Sequence, residues 1–167
     1  MYNLREITDH DHGFLQNLHN DPEVLNNLTH PNPIDLTQHM LWWDKIKNDQ
    51  SQIRLIFTIN DERAGLTKFY DVDFVNKNCV LGADLHIDFR GKGHSKHMWK
   101  LMLDHCFNTL NLHRVSLTTA RYNWIARRLY KGLGFREEGL LSQSLLRHNV
   151  YHDQICMFML KTDWQSK

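Results

Sequence analysis

The stretch "FRGKGHSKHMW", Phe89 to Trp99, sets Gly91 and Gly93 among Arg90, Lys92, His94 and Lys96, directly ahead of an amphipathic run. Residues of these types at this spacing suit the holding of a phosphorylated ligand. The first amides of a helix lack intrahelical partners, and the helix dipole makes the same end partly positive. Glycines let the backbone approach a bulky anion closely. The candidate cradle is therefore Arg90, Gly91, Lys92, Gly93, His94 and Ser95. No Gly-Lys-Ser or Gly-Lys-Thr ends it, so it is not a P-loop, and Gly-x-Gly-x-x-Gly is absent, so it is not a dinucleotide fingerprint. An ordinary turn before a helix is the competing reading.

Hydrophobic periodicity supplies the elements that must position this loop. "YNLREI" predicts a strand and "DHDHGFLQNLHN" a helix ending before Asp21-Pro22, with "THPNPID" as a loop. "DLTQHMLWWDKIKND" predicts a helix, since Leu36, His39, Met40, Trp43 and Ile46 recur at three- and four-residue spacings. "IRLIFTI", "AGLTKFYDVDF" and "CVLGADLHIDF" then predict three strands of an antiparallel meander. After the glycine loop, Lys96 to Phe107 is predicted helical, with Met98, Leu101, Met102, His105 and Cys106 on one face. "HRVSLTTA" follows as a strand, and "NWIARRLYKGLGF" as a helix capped by Asn123 and stopped by Gly134. Ile125, Ala126, Leu129, Tyr130 and Leu133 form its stripe. "REEGLLSQSLL" and "VYHDQICMFML" predict two strands joined at "RHN". The sum is a mixed α/β domain.

The 167 residues fit one domain, 1–167. A net charge of +1 with 41% hydrophobic and 23% charged residues argues against bulk nucleic-acid or membrane-surface binding. Cys79, Cys106 and Cys156 are far apart and odd in number, which fits reduced thiols in the cytoplasm. The N-terminus has no run resembling a signal peptide, and no segment approaches the roughly 18 apolar residues of a membrane helix. Among the 12 histidines, only the pairs His94/His97 and His148/His152 have helical ligand spacing, and neither has an obvious third ligand nearby. No metal is expected. The sequence leaves a homodimer open.

Beyond these readings, the loop resembles the Arg/Gln-x-x-Gly-x-Gly/Ala signature of the GNAT (GCN5-related) N-acetyltransferase superfamily. Arg90 takes the first position, Gly93 the middle glycine, and Ser95 replaces the final Gly or Ala. "YNWIARRLYKGLGF" is similar to the family's Asn-x-x-Ala-x-x-x-Tyr-x-x-x-Gly-Phe segment, through Asn123, Ala126, Tyr130, Gly134 and Phe135. "EEGLLSQSLLRHNVYHDQICMFML" is similar to the ending of the ribosomal-protein-acetylase-like branch. These landmarks run in family order from Leu55 to Leu160. The resemblance implies a mostly antiparallel twisted sheet whose central parallel strands, Val80–Asp88 and Arg114–Thr119, splay around acetyl-CoA as co-substrate. It implies that the amides of Gly91 to Ser95 hold the pyrophosphate. Amides near Leu85 and Ile87 would pair with the pantetheine, and Asn123 would contact the cofactor arm.

The implied reaction is direct attack of an amine on a thioester. An amine with a pKa near 10.4 is only about 0.04% neutral at pH 7, so a base or a water chain is needed. Tyr130 matches the family's general-acid tyrosine, against the reading of a core aromatic on the helix stripe. Many relatives carry a glutamate at the position of Val80, which cannot serve. Asp84 and His86 share its strand face by alternation and are the base candidates, with His39 another. The segment "LHNDPEVLNNLTHPNPIDLTQHMLWWDKI" resembles acetyltransferases acting on nucleotide-linked amino sugars, with Leu18-His19 in place of their Trp-Arg. Glu23 and His39 would then hydrogen-bond the acceptor, and Trp42 or Trp43 would stack on it. A protein N-terminus, a polyamine, and a non-catalytic acetyl-CoA-binding module are the alternatives.

Overall fold

The computed structural model describes residues 1–28 and 30–165. Seven strands form one sheet in the order β1-β2-β3-β4-β5-β7-β6. They are β1 (Tyr2–Glu6), β2 (Ile53–Ile59), β3 (Glu62–Asp73), β4 (Asn78–Leu85), β5 (Arg114–Ala120), β6 (Arg136–Arg147) and β7 (Val150–Leu160). The helices are α1 (His12–His19), α2 (Pro22–Asn27), α3 (Leu36–Ile46), α4 (His94–Asp104), α5 (Trp124–Leu133) and α6 (Lys161–Gln165). β2, β3 and β4 pair antiparallel as the predicted meander, and β1 joins its edge antiparallel to β2.

One pair is parallel. β4 and β5 run side by side at Asn78–Arg114, Cys79–Val115 and Val80–Ser116. Beyond those three pairs they part, while β5 stays paired to β7 along its whole length. A slot therefore opens between residues 81–85 and 117–120. The sequence reading extends β4 to Asp88, but the strand stops at Leu85, and Ile87–Phe89 is a 3-10 turn capped by His86.

The sheet is covered on both faces. Phe57, Phe69 and Leu81 pack with Met98, Trp99 and Met102 of α4, and with Val115 and Met157, in the larger core. Leu15, Leu18 and Val24 pack with Ile56 and Leu66 in a smaller one, on the face of the even-numbered sheet residues. Arg54, Lys68, Tyr70, Val80, Gly82 and Asp84 belong to the same alternation set as Ile56 and Leu66. Gly65 has a packing reason, because a Cβ there would run into the carbonyl of Asp84 across the ladder.

Several element readings need correction. A separate helix, α2, follows Pro22, where Asp21 caps Glu23 and Val24 and proline suits the first helical position. The "THPNPID" loop holds over residues 30–34, while its Thr29 lies outside the described residues. The helix predicted over "DHDHGFLQNLHN" begins as a 3-10 turn at Asp9–Asp11. α4 starts two residues early at His94, and a π-helical segment, His105–Thr109, continues it. α3 buries only His39 of its predicted stripe. On α5, Ile125 is exposed, because its first turn stands clear of the core. The β6–β7 hairpin turns at His148 and Asn149, whose φ of 48° and 61° mark a left-handed two-residue turn that matches strand twist.

Candidate active site

The glycine loop lies where β4 ends and α4 begins. Gly91 and Gly93 have φ of +72° and +83°, a region where a side chain is strained. No atom lies within 4 Å of where a Cβ would project from either, so the loop's outer side is open. Gly93 caps α4 with no side-chain hydrogen bond, which leaves the first-turn amides of His94 and Ser95 without a side-chain acceptor at the cap. That arrangement fits a pyrophosphate.

The cationic side chains of the loop are turned to protein groups. Lys92 Nζ donates to the Asp88 carbonyl at 2.7 Å. His94 Nδ1 meets the Tyr2 hydroxyl at 3.0 Å, and the Tyr2 ring stacks on His97 at 4.2 Å. Arg90 donates from Nε to the Leu85 carbonyl at 2.8 Å, from Nη1 to Glu23 at 2.7 Å and from Nη2 to Asp21 at 2.9 Å. Burial works to raise the Asp21 pKa, but the Arg90 hydrogen bond and the amides of Val24 and Glu23 outweigh it and hold it below its ordinary value. Glu23, expected to face the acceptor, is thus an Arg90 partner. These side chains are thus engaged within the protein, and the open part of the loop is its backbone.

Leu85 keeps its expected place and Ile87 does not. His86 N donates to the Ala64 carbonyl on β3 at 2.7 Å, so the Leu85 N–H, one residue back, points to the slot edge. Ile87 sits in the 3-10 turn, off the strand edge, with its side chain exposed. Asn123 keeps its expected place as the N-cap of α5. Its Oδ1 accepts from Ala126 N at 3.2 Å and its Nδ2 donates to Asn27 Oδ1 at 3.3 Å, so its side chain caps α5 and reaches α2.

Tyr130 lies on α5 against Trp99, edge to face at 4.7 Å, and against Phe135 at 5.9 Å. Burial, and then the negative charge of Asp84, push its phenol above the ordinary value. The phenol is therefore protonated at neutral pH and available as a donor.

The base candidates separate. Asp84 alone stays on the strand flanking the slot, where it forms an ion pair with the Lys68 ammonium. Burial works to lower the Lys68 pKa, but the Asp84 charge, Tyr70 and the Asp84 hydrogen bond together outweigh it, so Lys68 remains a cation. His86 lies past the strand end and loses the shared face with Asp84. Its Nδ1 lies 3.5 Å from the Asp88 carboxylate. His39 is 2% exposed, with Nε2 at 3.1 Å from His12 Nδ1. Burial, then repulsion from His12 and His19, lowers its pKa to about 4. It is a packed neutral imidazole turned to His12. Trp42 and Trp43 belong to the same cluster, with Trp42 5.4 Å from His39 and Trp43 5.8 Å from His12.

Sequence reasoning missed Lys68, Trp99 and Tyr2. For Trp99 there was a signal, four residues from Ser95 on the same helical stripe. For Lys68 there was none, because a lysine in a strand ordinarily reads as solvated. Among the described residues no group of three or more His, Cys, Asp or Glu side chains could hold a metal ion. No helix among them is long and apolar enough to cross a membrane.

Comparison with known proteins identifies the family. The spermidine N(1)-acetyltransferase of Escherichia coli K12 is 30% identical over 118 residues, 70% of this chain and 63% of that protein. The match thus spans less than two thirds of that relative's length. The spermidine N(1)-acetyltransferase of Vibrio cholerae is 24% identical over 167 residues, 98% of this chain and 95% of that protein. A putative ribosomal N-acetyltransferase, YdaF of Bacillus subtilis, is 25% identical over 125 residues, 75% of this chain and 68% of that protein. The crystal structure of the Vibrio cholerae spermidine N-acetyltransferase in complex with CoA and spermine shares the fold, with a TM-score of 0.93 at 23% identity over 98% of both chains. Residues 2–136 match the acetyltransferase (GNAT) domain, and the chain belongs to that family.

Proposed function

We propose that this chain is an acetyl-CoA-dependent N-acetyltransferase whose acceptor is a polyamine. The observation that carries acetyl transfer is the slot. β4 and β5 part after three residue pairs, and the open glycine loop and the N-terminus of α4 stand at its mouth. A long thioester with a pyrophosphate fits that shape. The amides of residues 91–95 hold the phosphates, and the Leu85 N–H donates a strand-like bond to the arm.

Acetyl-CoA supplies an activated acyl group. The amine nitrogen forms a bond to the thioester carbon, the carbon–sulfur bond breaks, and the sulfur leaves with its electron pair. Tyr130 donates a hydrogen bond to that sulfur. A thiolate of pKa near 8.5 is less basic than a phenolate, so a held hydrogen bond serves it and full proton transfer is not required. Asp84, fixed by Lys68, attracts the acceptor's ammonium to the slot, and water carries away two protons in turn, one from the ammonium before attack and one from the nitrogen once it has bonded to the acyl carbon.

The acceptor segment suggested a nucleotide-linked amino sugar. The relatives in Escherichia coli and Vibrio cholerae that bear the name spermidine N(1)-acetyltransferase favour the polyamine instead. The test is thiol release from acetyl-CoA with spermidine, spermine, UDP- and dTDP-amino sugars and N-terminal peptides. Turnover confined to spermidine and spermine is expected. Turnover of an amino sugar or a peptide with inert polyamines overturns the acceptor, and tight acetyl-CoA binding without turnover of any amine overturns the enzyme.

A further inference from the structure

Two residues that the family motifs assign to the donor, Arg90 and Asn123, direct their side chains to α2. The guanidinium of Arg90 is occupied on all three nitrogens, by Leu85, Glu23 and Asp21. Its planar fork matches this set of oxygens, and such charge-assisted bonds are the strong ones. Asp21 is at the same time the N-cap of α2, accepting from Glu23 N at 3.0 Å and Val24 N at 3.1 Å. The Arg90 and Asp21 side chains are only 22% and 15% exposed, so their pairing is shielded from water.

α2 has six residues, too few to be stable by itself, so tertiary contacts set its position. Arg90 holds its first turn. Asn123 meets Asn27, and Arg147 donates to the carbonyls of Asn26 and Leu28 at its far end. A swing of Arg90 to the donor's phosphates would break three hydrogen bonds. It would also leave Asp21 and Glu23 without their cation beside an arriving polyanion, and like charges at close range are unfavourable. The loop needs no such swing, because its backbone already suits the anion.

We propose that Arg90 is a positioning residue that fixes the acceptor-side helix α2 to the donor loop, and is not a ligand of the donor's phosphates. The proposal rests on the slot being the acetyl-CoA site. It extends that reading by assigning to acceptor binding a residue that the motif assigns to the donor.

The experiment compares wild type with Arg90→Gln, Arg90→Lys, Asp21→Asn and the Arg90→Gln/Asp21→Asn double variant. It measures the acetyl-CoA Kd by calorimetry, KM and kcat for spermidine, and amide hydrogen exchange across residues 22–27. Arg90→Gln is expected to raise the spermidine KM about tenfold, with kcat and the acetyl-CoA Kd within about threefold of wild type. Exchange in α2 should quicken while α4 stays protected. Asp21→Asn should do the same, and the double variant should be no worse than the worse single, as for two members of one contact. Arg90→Lys should recover part of the KM, since an ammonium can pair with one carboxylate.

A tenfold or greater weakening of acetyl-CoA by Arg90→Gln overturns the proposal, whatever happens to α2. Unchanged α2 exchange also overturns it. If wild type acetylates no polyamine, the acceptor reading fails, yet the acetyl-CoA Kd and α2 exchange still decide the role of Arg90. Exchange in α2 is read with neither ligand present, so it stands apart from the donor reading as well.

Discussion

On the function proposed above, the donor side and the acceptor side of the slot are built from different materials. The donor side is backbone: two glycines at positive φ, the opening turn of α4 and the free edge of β4. The acceptor side is side-chain charge and packing: Lys68 with Asp84, Arg90 with Asp21 and Glu23, and the buried His12–His39 pair. Backbone sites tolerate changes in their side chains and fail when the chain cannot take the required φ. Sites built from paired charges fail in stability when one partner is removed.

Substitutions can break or sharpen that contrast, and the largest effect is expected on the acceptor face. Lys68→Met leaves Asp84 buried without its cation and should cost about 3–5 kcal/mol in urea unfolding. Lys68→Met combined with Asp84→Leu should recover most of it. An unaltered midpoint in the single variant would remove the pair from the account of stability. Between the two sides stands Tyr130. Tyr130→Phe should lower kcat on the order of a hundredfold, about 2.7 kcal/mol, with the acetyl-CoA Kd little changed. An equal loss in Kd would make it a binding residue instead.

His39 comes next, through pH. Its pKa falls from the ordinary 6.5 to about 4 in the folded state. Above pH 6.5 both states hold it neutral and it has no effect. As pH falls from 6.5 toward 4, the unfolded chain takes up a proton that the native state refuses, so stability is lost. The loss should reach about 2 kcal/mol between pH 6.5 and pH 5, and His39→Gln should flatten that limb relative to wild type. An identical limb in the variant would refute the buried neutral imidazole. The smallest effect belongs to the donor loop. Gly93→Ala, held at a φ of +83°, should weaken acetyl-CoA about tenfold, about 1.4 kcal/mol. Calorimetry that shows no change would place the cradle elsewhere.

The same contrast explains how much could be read from the letters. Backbone motifs are local: the spacing of Arg90, Gly93 and Ser95 and the run from Asn123 to Phe135 are legible because neighbours in sequence make the geometry. So are the strands, through β-branched and aromatic content, and the helix stop at Gly134, which has φ of 101°. The charge partners are not local. Arg90 reaches Asp21 across 69 residues, and nothing in either neighbourhood specifies the other. Motif position therefore assigned Arg90 and Asn123 to the donor, while their side chains lie on α2. His86 was misplaced for a smaller reason, since alternation presumes a strand that the turn at Ile87–Phe89 has already ended.

The contact of Arg147 with the end of α2 has a consequence for the order of assembly. Its partner Asn26 lies 121 residues earlier in the chain. Closing so long a loop is entropically costly and slow, whereas the β2–β3–β4 meander closes over short turns. During synthesis α2 emerges early but gains its last anchor only when the β6–β7 hairpin has formed around His148 and Asn149. The β2–β3–β4 meander can thus form before the far end of α2 is secured, and a chain halted short of that hairpin would lack both the strand that pairs with β5 and the last anchor of α2.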